Sequence, residues 1–60
     1  MFTAADKLAC AKRELRMRLK VYPSWIARGK MFQNHADREI AIMKEIVSDY
    51  ERQEREERLI

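Results

Sequence analysis

The sequence has 60 residues, of which 38% are charged and 47% hydrophobic, and a formal net charge of +3. A chain of this length forms at most one domain, and as a monomer it buries too little surface to be more than marginally stable. One cysteine excludes an internal disulfide, and one cysteine with one histidine provides too few ligands for a zinc site. We therefore expect a single domain over residues 1–60, without metal or cofactor, that gains stability by associating with another chain.

The predicted location of the protein is the cytoplasm. No apolar run approaches the ~20 residues that span a bilayer. The N-terminal residues lack the basic and apolar regions of a secretory signal. A free cysteine is typical of a reducing compartment. These features predict a cytoplasmic protein that does not contact a membrane.

The first predicted helix runs from about residue 4 to residue 21. Thr3 and Asp6 have the spacing of a capping box, which starts a helix. Pro23 disfavours helical geometry in the residue before it, so the helix is expected to end there. A narrow apolar seam on this helix fits one partner helix. The seam consists of Ala4, Leu8, Ala11, Leu15, Leu19 and Tyr22, and a sparser second stripe consists of Cys10, Met17 and Val21.

Residues 22–32 form the predicted hinge between two helices. They include the only proline, glycine and tryptophan of the chain. Gly29 is predicted to be a left-handed helix cap. Residues 24–28 are predicted to form one short helical turn that carries Trp25 inward.

The second predicted helix runs from about residue 33 to residue 58. Its apolar residues cover roughly 160° of the helix surface, which is more than one partner helix needs. The predicted fold is therefore all-α: two long antiparallel helices, joined by a short helical turn, that dimerise into a four-helix arrangement. The predicted dimer-interface residues are Met17, Ile42, Ile46 and Tyr50.

No catalytic residue is predicted. Cys10 and His35 lie on different predicted helices, so the thiol has no base positioned beside it. The acidic pairs lie in a solvated C-terminal segment, where no cleft could tune their acidity. A single glycine cannot form a phosphate-binding loop. We expect that the protein is not an enzyme.

The hinge is instead a candidate site for a partner protein. Trp, Tyr, Met and Arg are enriched in protein interfaces, and the hinge contains all four. It also holds more bulky apolar side chains than closing a hairpin requires, so at least one of Met31 and Phe32 is expected to be exposed or held by a second chain. The predicted partner-binding residues are Tyr22, Trp25, Arg28, Lys30, Met31 and Phe32.

Nucleic-acid binding is the alternative function. Residues 1–30 contain eight Lys and Arg against two Asp and Glu, a net charge of +6, whereas residues 31–60 have a net charge of −3. The basic half could contact phosphates, but Asp37 and Glu39 beside the start of the second helix would repel a nucleic-acid backbone. The candidate contacts are Arg13, Arg16, Lys20, Arg28 and Lys30.

Several short motifs follow one another in the middle of the chain. They are Tyr22-Pro23, Trp25, Gly29-Lys30-Met31 and Ala36-Asp37-Arg38-Glu39-Ile40. Over roughly residues 8 to 50, this pattern resembles small proteins encoded by Mu-like temperate phages and proteobacterial prophages. The resemblance implies a phage-encoded protein that binds a host protein, such as a transcription regulator, and inhibits or modulates it. The chain departs from the pattern at Phe32, where the resemblance implies a small capping hydroxyl.

Overall fold

Two helices make up nearly all of the structure. The computed structural model describes residues 1–59, with α1 at Ala4–Ala27 and α2 at Gln33–Arg58. The helices pack against each other as an antiparallel hairpin, and the Cα atoms occupy a rod of 48 × 16 × 15 Å. The predicted all-α hairpin is confirmed, and the bounds predicted for the second helix match α2.

Hydrogen bonds hold the end of the rod where α1 begins and α2 ends, here called the open end. The predicted capping box is present, because the Thr3 hydroxyl accepts from the Asp6 amide at 3.1 Å and the Asp6 carboxylate accepts from the Thr3 amide at 3.2 Å. The Ala4 amide also donates to the Glu57 carboxylate at 3.1 Å. A carboxylate is favoured there because the first amides of a helix have no partner within it and carry partial positive charge.

The prediction that the first helix ends at residue 21 is wrong, because α1 continues through Pro23 to Ala27. A proline inside a helix removes one backbone hydrogen bond and crowds a carbonyl, at a cost of about 3 kcal/mol or more. Packing around the proline opposes that cost. Tyr22 is buried between the helices, and its ring lies 5.7 Å from the ring of Trp25. The short turn predicted over residues 24–28 is thus the last turn of α1.

The residues that follow α1 end the helix as predicted. Gly29 adopts a φ of 71°, a left-handed conformation that favours glycine. The Gly29 amide donates to the Ile26 carbonyl at 3.0 Å, and the Lys30 amide donates to the Trp25 carbonyl at 2.9 Å. These two bonds form a Schellman motif, which satisfies carbonyls left free at the helix end. Residues 28–32, here called the turn, then lead directly into α2.

The seam between the helices repeats every seven residues. Alternate steps of four and three are typical of helices packed as a coiled coil. In α1 the seam positions are Ala4, Leu8, Ala11, Leu15, Arg18 and Tyr22; in α2 they are Ala36, Ile40, Met43, Val47, Tyr50 and Glu54. The placement of Leu19 in the seam is therefore wrong: this side chain is 47% exposed, and Arg18 takes its place.

The hydrophobic core of the hairpin is small. Its central cluster is Ala11, Met43 and Val47, against which Leu8, Leu15 and Tyr50 pack. Half of the six buried residues in the described chain are alanines, and none of the large side chains described is completely removed from solvent. Since apolar burial is the main source of stability, one hairpin by itself has little to hold it together.

Candidate protein-binding surfaces

One side of the seam carries large apolar side chains from both helices, and we call it the apolar face. Met17, at 55% exposure, lies in the middle of its α1 half. Cys10 and Met17 are seven residues apart, and each directly precedes a seam residue, so helical spacing places them on the same side. The face consists of Cys10, Met17, Val21 and Trp25 from α1 and Ile42 and Ile46 from α2.

Shallow hollows lie along the side of the hairpin that carries the apolar face. One of about 400 Å³ lies at the open end, with Phe2 and Cys10 in its lining. The next, of about 360 Å³, is lined by Cys10 and Ile46 among others, which shows that the two helices present these side chains on the same side. A third of about 200 Å³ lies towards the turn and includes Met17 and Trp25. The face is therefore uneven enough to accept inserted side chains.

Arg18 forms ion pairs with two acidic side chains on this side of the hairpin. Its Nε lies 2.9 Å from a Glu14 carboxylate oxygen, and its Nη1 lies 3.9 Å from Glu39 Oε1 and 3.4 Å from the Glu39 carbonyl oxygen. The hydrogen bond to Glu14 raises the pKa of the Arg18 guanidinium, with smaller contributions from the charges of Tyr22, Glu14 and Glu39, while desolvation opposes them. The guanidinium is thus charged at any physiological pH.

The other side of the seam is polar, and we call it the charged face. By the same heptad spacing it holds mostly small or charged side chains, with Leu19 and Ile26 as its large aliphatic residues. Four of its side chains are basic and two are acidic, so its net charge is +2. The charged face consists of Ala5, Ala9, Lys12, Arg16, Leu19, Pro23 and Ile26 from α1 and Asp37, Ala41, Lys44, Ser48, Glu51 and Arg55 from α2.

The turn exposes an aromatic side chain beside basic ones. Phe32 is 82% exposed and occupies the N-cap position of α2, where its side chain forms no capping hydrogen bond. Arg28 and Lys30 are also exposed, whereas Met31 is half-buried. The expectation that at least one of Met31 and Phe32 is exposed is confirmed.

The predicted partner-binding residues divide into two groups. Arg28, Lys30 and Phe32 are exposed together at the turn. Tyr22 is buried in the seam, so it can support a binding site but offers almost no contact surface. Trp25 was expected to point inward, and this is wrong: it is 42% exposed and lies at the turn end of the apolar face.

The predicted dimer-interface residues lie largely where a second chain could reach them. Met17, Ile42 and Ile46 are exposed on the apolar face. Tyr50 is half-buried and packs against the core cluster, so the hairpin itself already covers much of its side chain.

The candidate nucleic-acid contacts do not form one surface. Arg13 and Lys20 point away from α2 by helical spacing, Arg16 belongs to the charged face, and Arg28 and Lys30 lie at the turn. All five are exposed, and none forms an ion pair with another of residues 1–59.

Sequence reasoning missed Arg18 as the seam residue that pairs with Glu14 and Glu39. The assumption of one continuous apolar seam led to Leu19, whereas a strict seven-residue repeat passes through Arg18. Glu14, four residues earlier, was the available signal, because i, i+4 pairs of opposite charge face each other on a helix.

Other kinds of site receive no support from the described residues. Within residues 1–59, no three His, Cys, Asp or Glu side chains come close enough together to hold a metal ion. Neither α1 nor α2 is both long and apolar enough to cross a membrane. Comparison with protein-family models, with curated proteins and with solved structures finds no match to this chain.

Proposed function

We propose that this chain is a small, non-catalytic, phage- or prophage-encoded protein that binds a host protein, such as a transcription regulator, and inhibits or modulates it. The observation that carries the proposal is the exposure of Phe32 at the turn, beside Arg28 and Lys30. The phage origin rests on the sequence resemblance described above. We propose the host cytoplasm as the location because a phage-encoded protein of this kind would meet its host target there.

Phe32 does not stabilise the start of α2, although it occupies the N-cap position. A Ser, Thr, Asp or Asn at an N-cap stabilises a helix by typically about 1 kcal/mol relative to a residue that cannot cap. Phe32 forms no such bond and exposes an apolar ring to water. Burial of that ring against a partner would offset both costs, because removing apolar surface from water is favourable.

The basic side chains define the chemistry of the partner. Arg28 and Lys30 flank Gly29 and form no ion pair with a described residue. An aromatic ring next to an arginine is a common composition for the centre of a protein interface. A host surface with an apolar pocket rimmed by acidic side chains fits this arrangement.

A capture experiment with matched variants tests the proposal. Purified wild-type protein, Phe32→Ser and Phe2→Ser are each used to capture proteins from a lysate of the bacterial host. Phe2 is the control because it is also an exposed phenylalanine, at 77%, but lies at the open end. We expect a host protein that wild type and Phe2→Ser retain and that Phe32→Ser loses.

The captured protein is then purified and titrated calorimetrically with each variant. Arg28→Glu should weaken its binding while the helical circular-dichroism signal stays unchanged. Equal affinity of Phe32→Ser and wild type would overturn the proposed site at the turn. If wild type retains no host protein, the proposed function is wrong.

The alternative is a small DNA- or RNA-binding module, favoured by five exposed basic side chains that have no ion-pair partner among residues 1–59. Such binding would weaken steeply with salt because phosphate contacts release counterions. Heparin affinity chromatography of a variant in which Arg13, Arg16, Lys20, Arg28 and Lys30 are reversed in charge tests this. Retention equal to that of the wild type would exclude it.

A further inference from the structure

We propose that a second copy of this chain packs on the apolar face, with the two hairpins antiparallel and related by a two-fold axis that passes near Met17 and Ile42. This inference specifies the surface and orientation of the dimer expected from the sequence. It concerns purified protein alone, so it does not depend on whether the turn binds a host protein.

The exposed area of the hairpin matches what a stable dimer needs. The chain exposes 5010 Å², whereas a compact monomer of 7.2 kDa exposes about 4100 Å². The excess is about 900 Å², close to the roughly 800 Å² that each partner contributes to a standard interface. Because the core of one hairpin is so small, covering this area would supply the apolar burial that it lacks.

Part of the charge on the apolar face is paired within the chain. Burying an ion without a partner is strongly unfavourable, so a self-interface must not bring like charges together. Arg18 lies between Glu14 and Glu39 and pairs with both, so one of these two negative charges is neutralised within the chain. The charged face offers a second copy fewer large apolar side chains to bury than the apolar face does.

The distribution of charge along the rod selects the antiparallel orientation. The half that contains the turn, residues 16–42, has six basic and two acidic residues, a net charge of +4. The remaining residues have seven basic and eight acidic residues, a net charge of −1. A parallel dimer would place the two turn halves, each with a net charge of +4, beside each other. An antiparallel dimer places each turn half beside the partner's other half, which has a net charge of −1.

The register of the hairpin determines which side chains meet. The Ala4–Glu57 and Arg18–Glu39 contacts place Met17 level with Ile42, near the centre of the apolar face. A two-fold axis there brings Met17 against the partner's Met17. It also places Lys7 opposite the partner's Trp25, where an ammonium group over an indole ring is favourable.

Mass and cross-linking of the purified protein test the proposal. Sedimentation equilibrium should give the mass of two chains. For orientation, Cys10→Ser is combined with either Met17→Cys or Ser24→Cys, and both proteins are oxidised. Met17→Cys should form a covalent dimer, because residue 17 meets its own copy at the axis. Ser24→Cys is the matched control on the same side of α1, far from the axis, and should not cross-link.

Each other outcome overturns the proposal. The mass of one chain at micromolar concentration would show that no second copy binds, and the face would then be free for a different partner. In a parallel pair, Met17 would face the partner's Ile42, so cross-links would form only in a mixture of Met17→Cys and Ile42→Cys chains. Equal cross-linking of Met17→Cys and Ser24→Cys would show random collision rather than a defined interface.

Discussion

The two faces of the hairpin are built on the same seam yet differ in almost every property that matters for association. The apolar face presents Met17, Ile42 and Ile46, and Arg18 beside it pairs with Glu14 and Glu39. The charged face presents alanines and a net charge of +2. A helix pair needs only one apolar stripe per helix to fold. The additional apolar stripe on one side is therefore best explained by a further partner.

Removing the core beneath both faces should have the largest effect. Met43 is buried in the central cluster, and Met→Ala in a core costs about 2–5 kcal/mol. A domain of this size has a free energy of unfolding of only about 3–9 kcal/mol. We expect Met43→Ala to be largely unfolded at low concentration, as measured by circular dichroism during urea denaturation. Ser48→Ala is the exposed control; equal stability of the two variants would contradict the assigned core.

A charge placed on one face or the other should separate their roles. Ile42 and Ala41 are adjacent but belong to opposite faces. Ile42 is 39% exposed, so in the proposed dimer Ile42→Glu loses roughly 0.6–1.2 kcal/mol of apolar burial from each copy, and the dimer dissociation constant should rise about tenfold or more. Ala41→Glu should leave it within a few-fold of the wild type. Sedimentation equilibrium measures both, and equal effects would show that the faces are not distinct.

A change at the turn should lower stability without distinguishing the faces. Gly29 has a φ of 71°, and a Cβ atom added there would meet no other atom within 4 Å. The only penalty for Gly29→Ala is therefore backbone strain of about 1–2 kcal/mol. We expect a lower midpoint in urea at an unchanged mass of the folded species. Lys30→Ala, beside it, is the control. No change in the midpoint would argue against the left-handed cap.

Arg18→Leu should give the smallest effect on folding and a diagnostic effect on association. The ion pairs of Arg18 are partly solvated, and such pairs contribute about 0–1 kcal/mol. Leucine would fill the seam, so the free energy of unfolding of the monomer should change by less than about 1 kcal/mol. Glu14 and Glu39 would then lack a partner on the apolar face. The dimer should weaken, and a dimer as tight as the wild type would mean that these carboxylates remain solvated.

The local signals in the sequence were sufficient to predict most of the fold. The Thr3–Asp6 spacing and Gly29 each act through a few neighbouring atoms, so their effect does not depend on the rest of the structure. Pro23 shows the limit of such reasoning. Its local cost is real, but packing of Tyr22 in the seam opposes it, and that packing is visible only once α2 is in place.

The candidate binding surfaces were harder to predict from the sequence than the fold. Exposure of Phe32 could be anticipated, because the hinge has more apolar bulk than one hairpin end can bury. The burial of Tyr22 and the exposure of Trp25 could not, since both depend on where α1 ends. The seam position of Arg18 was not predicted because a charged residue in a seam contradicts the simple apolar pattern. Only the contacts with Glu14 and Glu39 explain why it is tolerated.

The length of the rod has a consequence for how the protein would engage its target. The turn lies at one end of a body 48 Å long. An antiparallel pair would hold its two turns at opposite ends, facing away from each other. Such a molecule is bivalent, and its second binding event benefits from high effective concentration only when the target offers two sites at a matching separation. It would thus discriminate between a symmetric, multi-subunit target and a single copy of the same subunit.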